Sequence, residues 1–210
     1  MIIDISIPVN HKTPIWPKTP RLRLKNICSI KKGDSANDTK IEMSLHTGTH
    51  LDAPRHFFSG GQSIDKMPLQ IFIGPAFVAY LPKVKKITAY DLEKLHLPRG
   101  VSRLLFRTSN SLLWKKRISK FQKNYVGLTA DAAMWLSKRK IKLVGVDYLS
   151  VSAFDETVPV HRILLKKGIA LLEGINLGGV KQGVYQLICF PVKISNLEAA
   201  PVRAVLIKNK

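Results

Sequence analysis

The spacing of apolar positions divides the chain into short strands separated by a few helices. Ile2 to Ile7 is short and isoleucine-rich. Pro8 and the prolines from Pro14 to Pro20 then impose an extended loop that keeps Trp16 out of any helix. Arg21 to Ile30 alternates leucine with arginine and lysine, and the polar cluster Lys31 to Lys40 predicts a hairpin or surface loop with strands on both sides. Ile41 to Leu51 again alternates polar with apolar residues around a Thr-Gly-Thr centre, which predicts a strand ended by Pro54. Compact apolar runs at Ile71 to Tyr80 and Arg103 to Arg107 predict buried strands, with a short helix over Thr88 to Leu95 between them. Thr129 supplies an N-cap residue for a helix through Leu136, followed by a β-branched run, Ile141 to Val146, that ends at Asp147. The pattern continues with a helix over His161 to Lys167 stopped by Gly168, a strand over Ile169 to Glu173, and closing strands at Gln186 to Ile194 and Val202 to Ile207. Strands outnumber helices, so the class is α+β or mixed α/β.

The 210 residues suffice for one core, and with no repeat or convincing linker the simplest organisation is one domain over residues 1–210. Apolar residues at 45% and charged ones at 23% exclude a disordered chain. The longest uncharged apolar stretch, Ile71 to Pro82, falls short of the roughly 20 residues that span a bilayer. Asp4 near the N-terminus, without a basic flank or a small-residue cleavage site, argues against a signal peptide, so the expected compartment is the cytoplasm. Cys28 and Cys189 lack CxxC spacing and are read as core thiols.

Charge changes the picture more. Thirty-four basic side chains against 14 acidic ones leave +20. Such a surface can attract nucleic acid or anionic membranes, or steer an anionic substrate inward. The basic residues are nevertheless scattered, with small clusters at Lys83 to Lys86, Lys115 to Arg117 and Lys138 to Lys142. They come with no aromatic ladder and no nucleic-acid fold signature, so neither a specific nucleic-acid partner nor a membrane is expected.

The candidate chemistry lies in the histidines. Three of the six fall between His46 and His56, joined by Asp52. An isolated strand histidine usually makes a hydrogen bond or faces solvent, but this cluster offers imidazole and carboxylate together, the donor set of zinc, manganese or iron. On a straight strand His46, Gly48, His50 and Asp52 would share one face, yet His46 and His50 would stand about 13 Å apart. Sharing one ion requires the chain to curl or bulge, and Gly48 is placed to allow it. Far along the chain, Glu173 ends the apolar run Ile169 to Leu172, and His161 follows Pro159 and Val160. A carboxylate there either reaches solvent or a lysine, or is paired or metal-bound, because burial penalises its charge.

The run His46-Thr-Gly-Thr-His50-Leu-Asp52-Ala-Pro-Arg-His56-Phe resembles the signature of the metal-dependent cyclase family, which includes bacterial kynurenine formamidases and isatin hydrolases. Pro14-Ile-Trp16-Pro, Gly74-Pro-Ala, Leu105-Phe-Arg-Thr108, Gly145-Val-Asp147, Ser150-Val151, Pro159-Val-His161 and Leu172-Glu173-Gly174 follow the family order, so the resemblance covers nearly the whole chain. It implies a compact fold with a swivelling, barrel-like sheet, assembled as a homodimer or homotetramer. It further implies two divalent ions per chain, zinc with manganese as an alternative. His46, His50 and Asp52 would hold one ion, and Asp52, His161 and Glu173 the other. His56 would be the acid–base residue and Trp16 would lie against the substrate.

The implied reaction is hydrolysis of N-formyl-L-kynurenine to L-kynurenine and formate, a step of tryptophan catabolism, with water activated between the metals and His56 delivering a proton to the leaving nitrogen. Another cyclic or aryl amide, such as isatin, is the alternative substrate. From a different class, the chain could be a basic nucleic-acid-binding protein on this scaffold, which salt-dependent binding insensitive to chelation would reveal. Lys18, where the family often has glycine, and Ser152, where it often has aspartate, depart from the pattern and bear on substrate choice.

Overall fold

The computed structural model describes residues 1–208. Its main element is a nine-stranded mixed sheet that curls into a half-barrel. The strands are β1 (Ile2–Asp4), β4 (His50–Asp52), β5 (Ile73–Leu81), β6 (Arg103–Thr108), β7 (Leu143–Val146), β8 (Ala170–Glu173), β9 (Gly183–Ile188), β10 (Ala199–Pro201) and β11 (Val205–Ile207). Their order is β1-β11-β9-β5-β6-β7-β8-β4-β10, in which β5 to β8 run parallel and the flanking pairs antiparallel. Outside this sheet, β2 (Arg23–Cys28) and β3 (Asp38–Glu42) form the hairpin expected around Lys31 to Lys40. Leu24 and Ile41 face each other across it and are exposed.

Period-2 alternation sorts the strand residues into two apolar layers. Leu51, Leu105, Ala170 and Leu172 point to one side; Leu104, Phe106 and Leu171 point to the other, against helices α1 (Ala89–Glu93), α3 (Ala130–Ser137) and α4 (Thr157–Lys166). Each fully buried leucine or phenylalanine contributes roughly 1.5–3 kcal/mol. Thr88 caps α1 through a reciprocal capping box with Asp91. Thr129 stands at the N-cap of α3, but its hydroxyl donates to Ile87 O instead of capping, and Glu156 accepts from the Ala130 N–H. Helix α4 starts four residues earlier than the sequence suggests. Pro159 lies in its first turn, where a missing N–H leaves no bond unmade, and Gly168, at φ +70°, ends it. No helix among the described residues is long and apolar enough to cross a membrane.

Two readings need correction. Ile41 to Leu51 is not one strand: β3 ends at Glu42 in the outlying hairpin, and β4 begins at His50 in the main sheet. Between them the chain turns, with Thr47 N donating to Ser44 O and Gly48 at φ +79°, a conformation that favours glycine. A Cβ on Gly48 would also meet Val9 Cγ2 at 2.4 Å. Cys189 is a buried thiol as expected, but Cys28 is only half-buried, because its hairpin stands away from the core; both are free.

An unanticipated helix, α2 (Ser111–Lys115), is held by tertiary bonds. The buried Asp147 carboxylate accepts from Thr108 N, Thr108 Oγ1, Ser111 N and Ser111 Oγ, tying the ends of β6 and β7 to α2. Burial pushes the Asp147 carboxyl up, and the Ser111 hydroxyl with the Thr108 hydroxyl and N–H pull it back toward the charged form.

Candidate metal centre

Strands β4 and β8 are antiparallel neighbours with His50 directly opposite Glu173, and Asp52 two residues on. Because Leu51 and Leu172 face the other layer, His50, Asp52 and Glu173 all face α4, which presents His161. The turn at Gly48 brings His46 back over the same spot, so the rings of His46 and His50 are 5.0 Å apart rather than spread along a strand. This turn lies so close to the end of β8 that a Cβ on Gly174 would sit 2.0 Å from Gly48 O. Gly174, at φ +66°, permits that approach.

The distances are short throughout. His46 Nδ1 is 3.0 Å from Asp52 Oδ1, His50 Nε2 is 3.5 Å from Asp52 Oδ1 and 3.4 Å from Glu173 Oε2. His161 Nε2 is 3.3 Å from Glu173 Oε1 and 3.9 Å from Asp52 Oδ2. Two groups with metal-ligand spacing emerge, His46–His50–Asp52 and Asp52–His161–Glu173, sharing Asp52. His56 Nε2 stands 3.8 Å from Asp52 Oδ2 and belongs to neither group. All five residues the resemblance names as ligands are therefore brought together, and Glu173, 4% exposed, meets His50 and His161 rather than solvent or, among the described residues, a lysine.

The donor chemistry fits a cation. His50 Nδ1 lies 3.0 Å from Gly48 O and His161 Nδ1 2.7 Å from Thr157 O; a carbonyl only accepts, so both Nδ1 atoms carry the proton. In the neutral rings Nε2 is then an acceptor aimed at carboxylate oxygens, the orientation that outer-shell carbonyls impose on metal-bound histidines. His50 Nε2 and both Asp52 oxygens are buried without a hydrogen-bond partner, the His46 contact being off-axis for one. Buried acceptors facing buried acceptors are costly unless a cation completes them.

In metal-free protein the histidines themselves can supply the positive charge. Burial opposes charge on Asp52 and Glu173, but the surrounding histidines outweigh it: His46 and His50 hold Asp52 below its ordinary value, and His161 and His50 hold Glu173 well below. Burial works against His46 as well, yet Asp52, seconded by Glu173 and Glu198, carries it up to about 9. Its folded pKa thus lies above its ordinary 6.5, so in metal-free protein the stabilisation is complete below pH 6.5 and is lost as pH rises through about 9. His161, also raised, acts in the same direction. Chelated protein is expected to lose up to about 3 kcal/mol between these limits, a fall in Tm of roughly 5–10 °C in thermal scans. Metal-loaded protein, whose ligand histidines must be neutral, should lack this slope.

The cluster forms the floor of a cavity of about 310 Å³ lined also by Trp16, Thr19, Ser44, Phe57, Leu149 and Thr157. Trp16 is backed by Phe121, Tyr125 and Phe154, with ring centroids 5.0, 6.4 and 5.4 Å away. Sequence reasoning missed Glu198, 3.6 Å from His46 Nε2, and Phe57, stacked on His161 at 4.9 Å. Ser150 and the Val151 N–H, which donate to Glu173 Oε1, were seen only as part of a motif. Adjacency to His56 could have marked Phe57; nothing local marks Glu198.

Comparison with known proteins now decides the family. The Cyclase family model matches residues 3–153. The chain belongs to the cyclase family. It is 42% identical to cyclase-like protein 3 of Oryza sativa subsp. japonica over 218 residues, covering 99% of this chain and 80% of that protein. It is 38% identical to the kynurenine formamidase of Bacillus thuringiensis (strain Al Hakam), covering 97% and 96%. Among solved structures, a potential metal-dependent hydrolase with cyclase activity superposes with TM-score 0.85 at 30% identity, covering 100% and 98%. Isatin hydrolase A from Labrenzia aggregata, bound to benzyl benzoate, superposes with TM-score 0.82 at 25% identity, covering 100% and 94%.

Proposed function

We propose that this cyclase-family chain is a metal-dependent amide hydrolase whose substrate is N-formyl-L-kynurenine, yielding L-kynurenine and formate. The observation that carries the reading is the pair of ligand groups joined through Asp52 at the floor of a cavity walled by Trp16. A kynurenine formamidase relative that aligns over nearly both full lengths supports the substrate. His46, His50 and Asp52 hold one divalent cation, zinc or manganese, and Asp52, His161 and Glu173 a second. Bound there, such ions supply Lewis acidity toward the amide carbonyl and activation of water near neutral pH.

The chain's own residues do the rest. Gly48 O and Thr157 O fix the two ligand histidines in the tautomer that turns Nε2 inward. Ser150 and the Val151 N–H orient Glu173. The Trp16 wall offers an apolar face to the aryl ring and excludes water on that side. His56, in the cavity but outside both ligand groups, delivers a proton to the departing nitrogen. A cyclic aryl amide of the isatin type is the second reading, favoured by the superposition on isatin hydrolase A.

The test is hydrolysis of N-formylkynurenine and of isatin by purified protein as isolated, after chelation and after refilling with zinc or manganese. Formate release that disappears on chelation and returns with metal is expected. Turnover of isatin alone would replace the first substrate with the second. Metal-independent turnover, or protein that binds no divalent ion, would sink the mechanism.

A further inference from the structure

Trp16 and Thr19, both lining the cavity above the metal centre, are the ends of one turn: Thr19 N donates to Trp16 O at 3.0 Å. Pro17 and Lys18 fill its middle, and Lys18 takes φ +70°. Proline second and a left-handed third residue make the type II pattern, whose third position suits glycine because a Cβ there is strained. Lysine is a poor choice on backbone grounds. The two other non-glycine residues at positive φ have local reasons: Arg117 closes the end of α2, where helices commonly finish left-handed, and Asn196 is of a type that tolerates the conformation.

What lysine offers in exchange is charge. None of the residues lining the cavity is a lysine or arginine, while Glu173 places a carboxylate at its floor and the fully buried Asp52 lies beside His46 and His161. Beyond the divalent ions that the two ligand groups would hold, a substrate carboxylate entering it meets no lysine or arginine side chain. Two other lysines are engaged elsewhere: Lys86 Nζ is 2.7 Å from Asp155, and Lys123 lies over the ring of Phe154, which backs Trp16. Lys18 is exposed, and among the described residues no ion pair engages it.

We infer that Lys18 is a specificity-determining residue, whose ammonium at the lip of the cavity selects amide substrates bearing a carboxylate. This rests on the amide-hydrolase reading of the same cavity. A flexible four-carbon stem lets the charge follow the ligand, and the strained turn keeps its root between two lining residues.

The experiment compares wild type, Lys18→Ala and Lys18→Gly, all metal-loaded. Kinetics use N-formylkynurenine and its carboxamide, which differ only in the negative charge. Calorimetric binding uses L-kynurenine and its carboxamide and needs no turnover. Both variants should raise KM for the acid, and Kd for kynurenine, about fivefold at low salt, leave the carboxamides unchanged, and lose the difference as salt screens the pair. Lys18→Gly should also raise Tm by about 2–4 °C and Lys18→Ala should not, since only glycine relieves the backbone. Unchanged acid-over-carboxamide preference in both variants overturns the inference, as does a wild type that binds acid and carboxamide alike or does not bind kynurenine. If no formamide is hydrolysed but the binding preference exists and disappears with Lys18, the formamidase reading fails and the role of Lys18 stands.

Discussion

His56→Ala is expected to lower kcat for N-formylkynurenine by about 10²–10⁴-fold while metal content stays at the wild-type level. The separation of the two effects follows from geometry. His56 Nε2 is 3.8 Å from Asp52 Oδ2 and its ring is 4.4 Å from that of His46, yet it joins neither ligand group and faces the cavity. Burial holds its pKa below the ordinary imidazole value, with Asp52 pulling the other way. A neutral imidazole takes a proton as water attacks and returns it to the leaving nitrogen, so kcat/KM should fall on the acid side below pH 6.5. That limb should vanish from the residual rate of His56→Ala. Metal analysis beside pH-rate profiles checks both parts. A variant that loses metal along with activity would make His56 a ligand, and one that keeps full kcat would remove it from the proton path.

Part of the candidate set was legible in residue chemistry, three histidines and an aspartate between His46 and His56, whereas His161 and Glu173 were left open there and came in only with the family resemblance. The geometry was not legible. Alternation from Ile41 to Leu51 reads as one strand because periodicity registers faces and is blind to a positive φ, and Gly48 is where the chain leaves the hairpin for the main sheet. The predicted need for a curl at Gly48 was right for a physical reason, since 13 Å is too far to share an ion. That His50 lies opposite Glu173 depends on the pairing of β4 with β8, across more than a hundred residues, and no local pattern encodes it. Helix α2 escaped notice because a five-residue helix has little propensity to show; Asp147 holds it from outside. Glu198 escaped because it arrives beside His46 only when β10 pairs with β4.

Asp52→Asn should empty the centre of both ions, whereas His46→Gln and His161→Gln should each remove about one. Asp52 is the one residue in both ligand groups, and it is 0% exposed, so no solvent-borne ligand can readily take its place. Asparagine keeps the shape but presents a single neutral acceptor, which discards the charge that favours a divalent ion. Thermal scans separate such a loss from misfolding: Glu173 pushes Asp52 up, but the histidines hold it below its ordinary value, so removing its charge costs the metal-free state its pairing with His46 while relieving one like-charge contact. The chelated variant should melt below chelated wild type at pH 6.5 and within a few degrees of it above about pH 9, where His46 has lost its charge in both. It should also lose much of the slope between pH 6.5 and 9, because Asp52 is the largest upward influence on His46. Elemental analysis and thermal scans read these outcomes separately. A full complement of metal in Asp52→Asn would refute the shared ligand, while an unchanged pH slope would refute the electrostatic account of His46 even if the metal were gone.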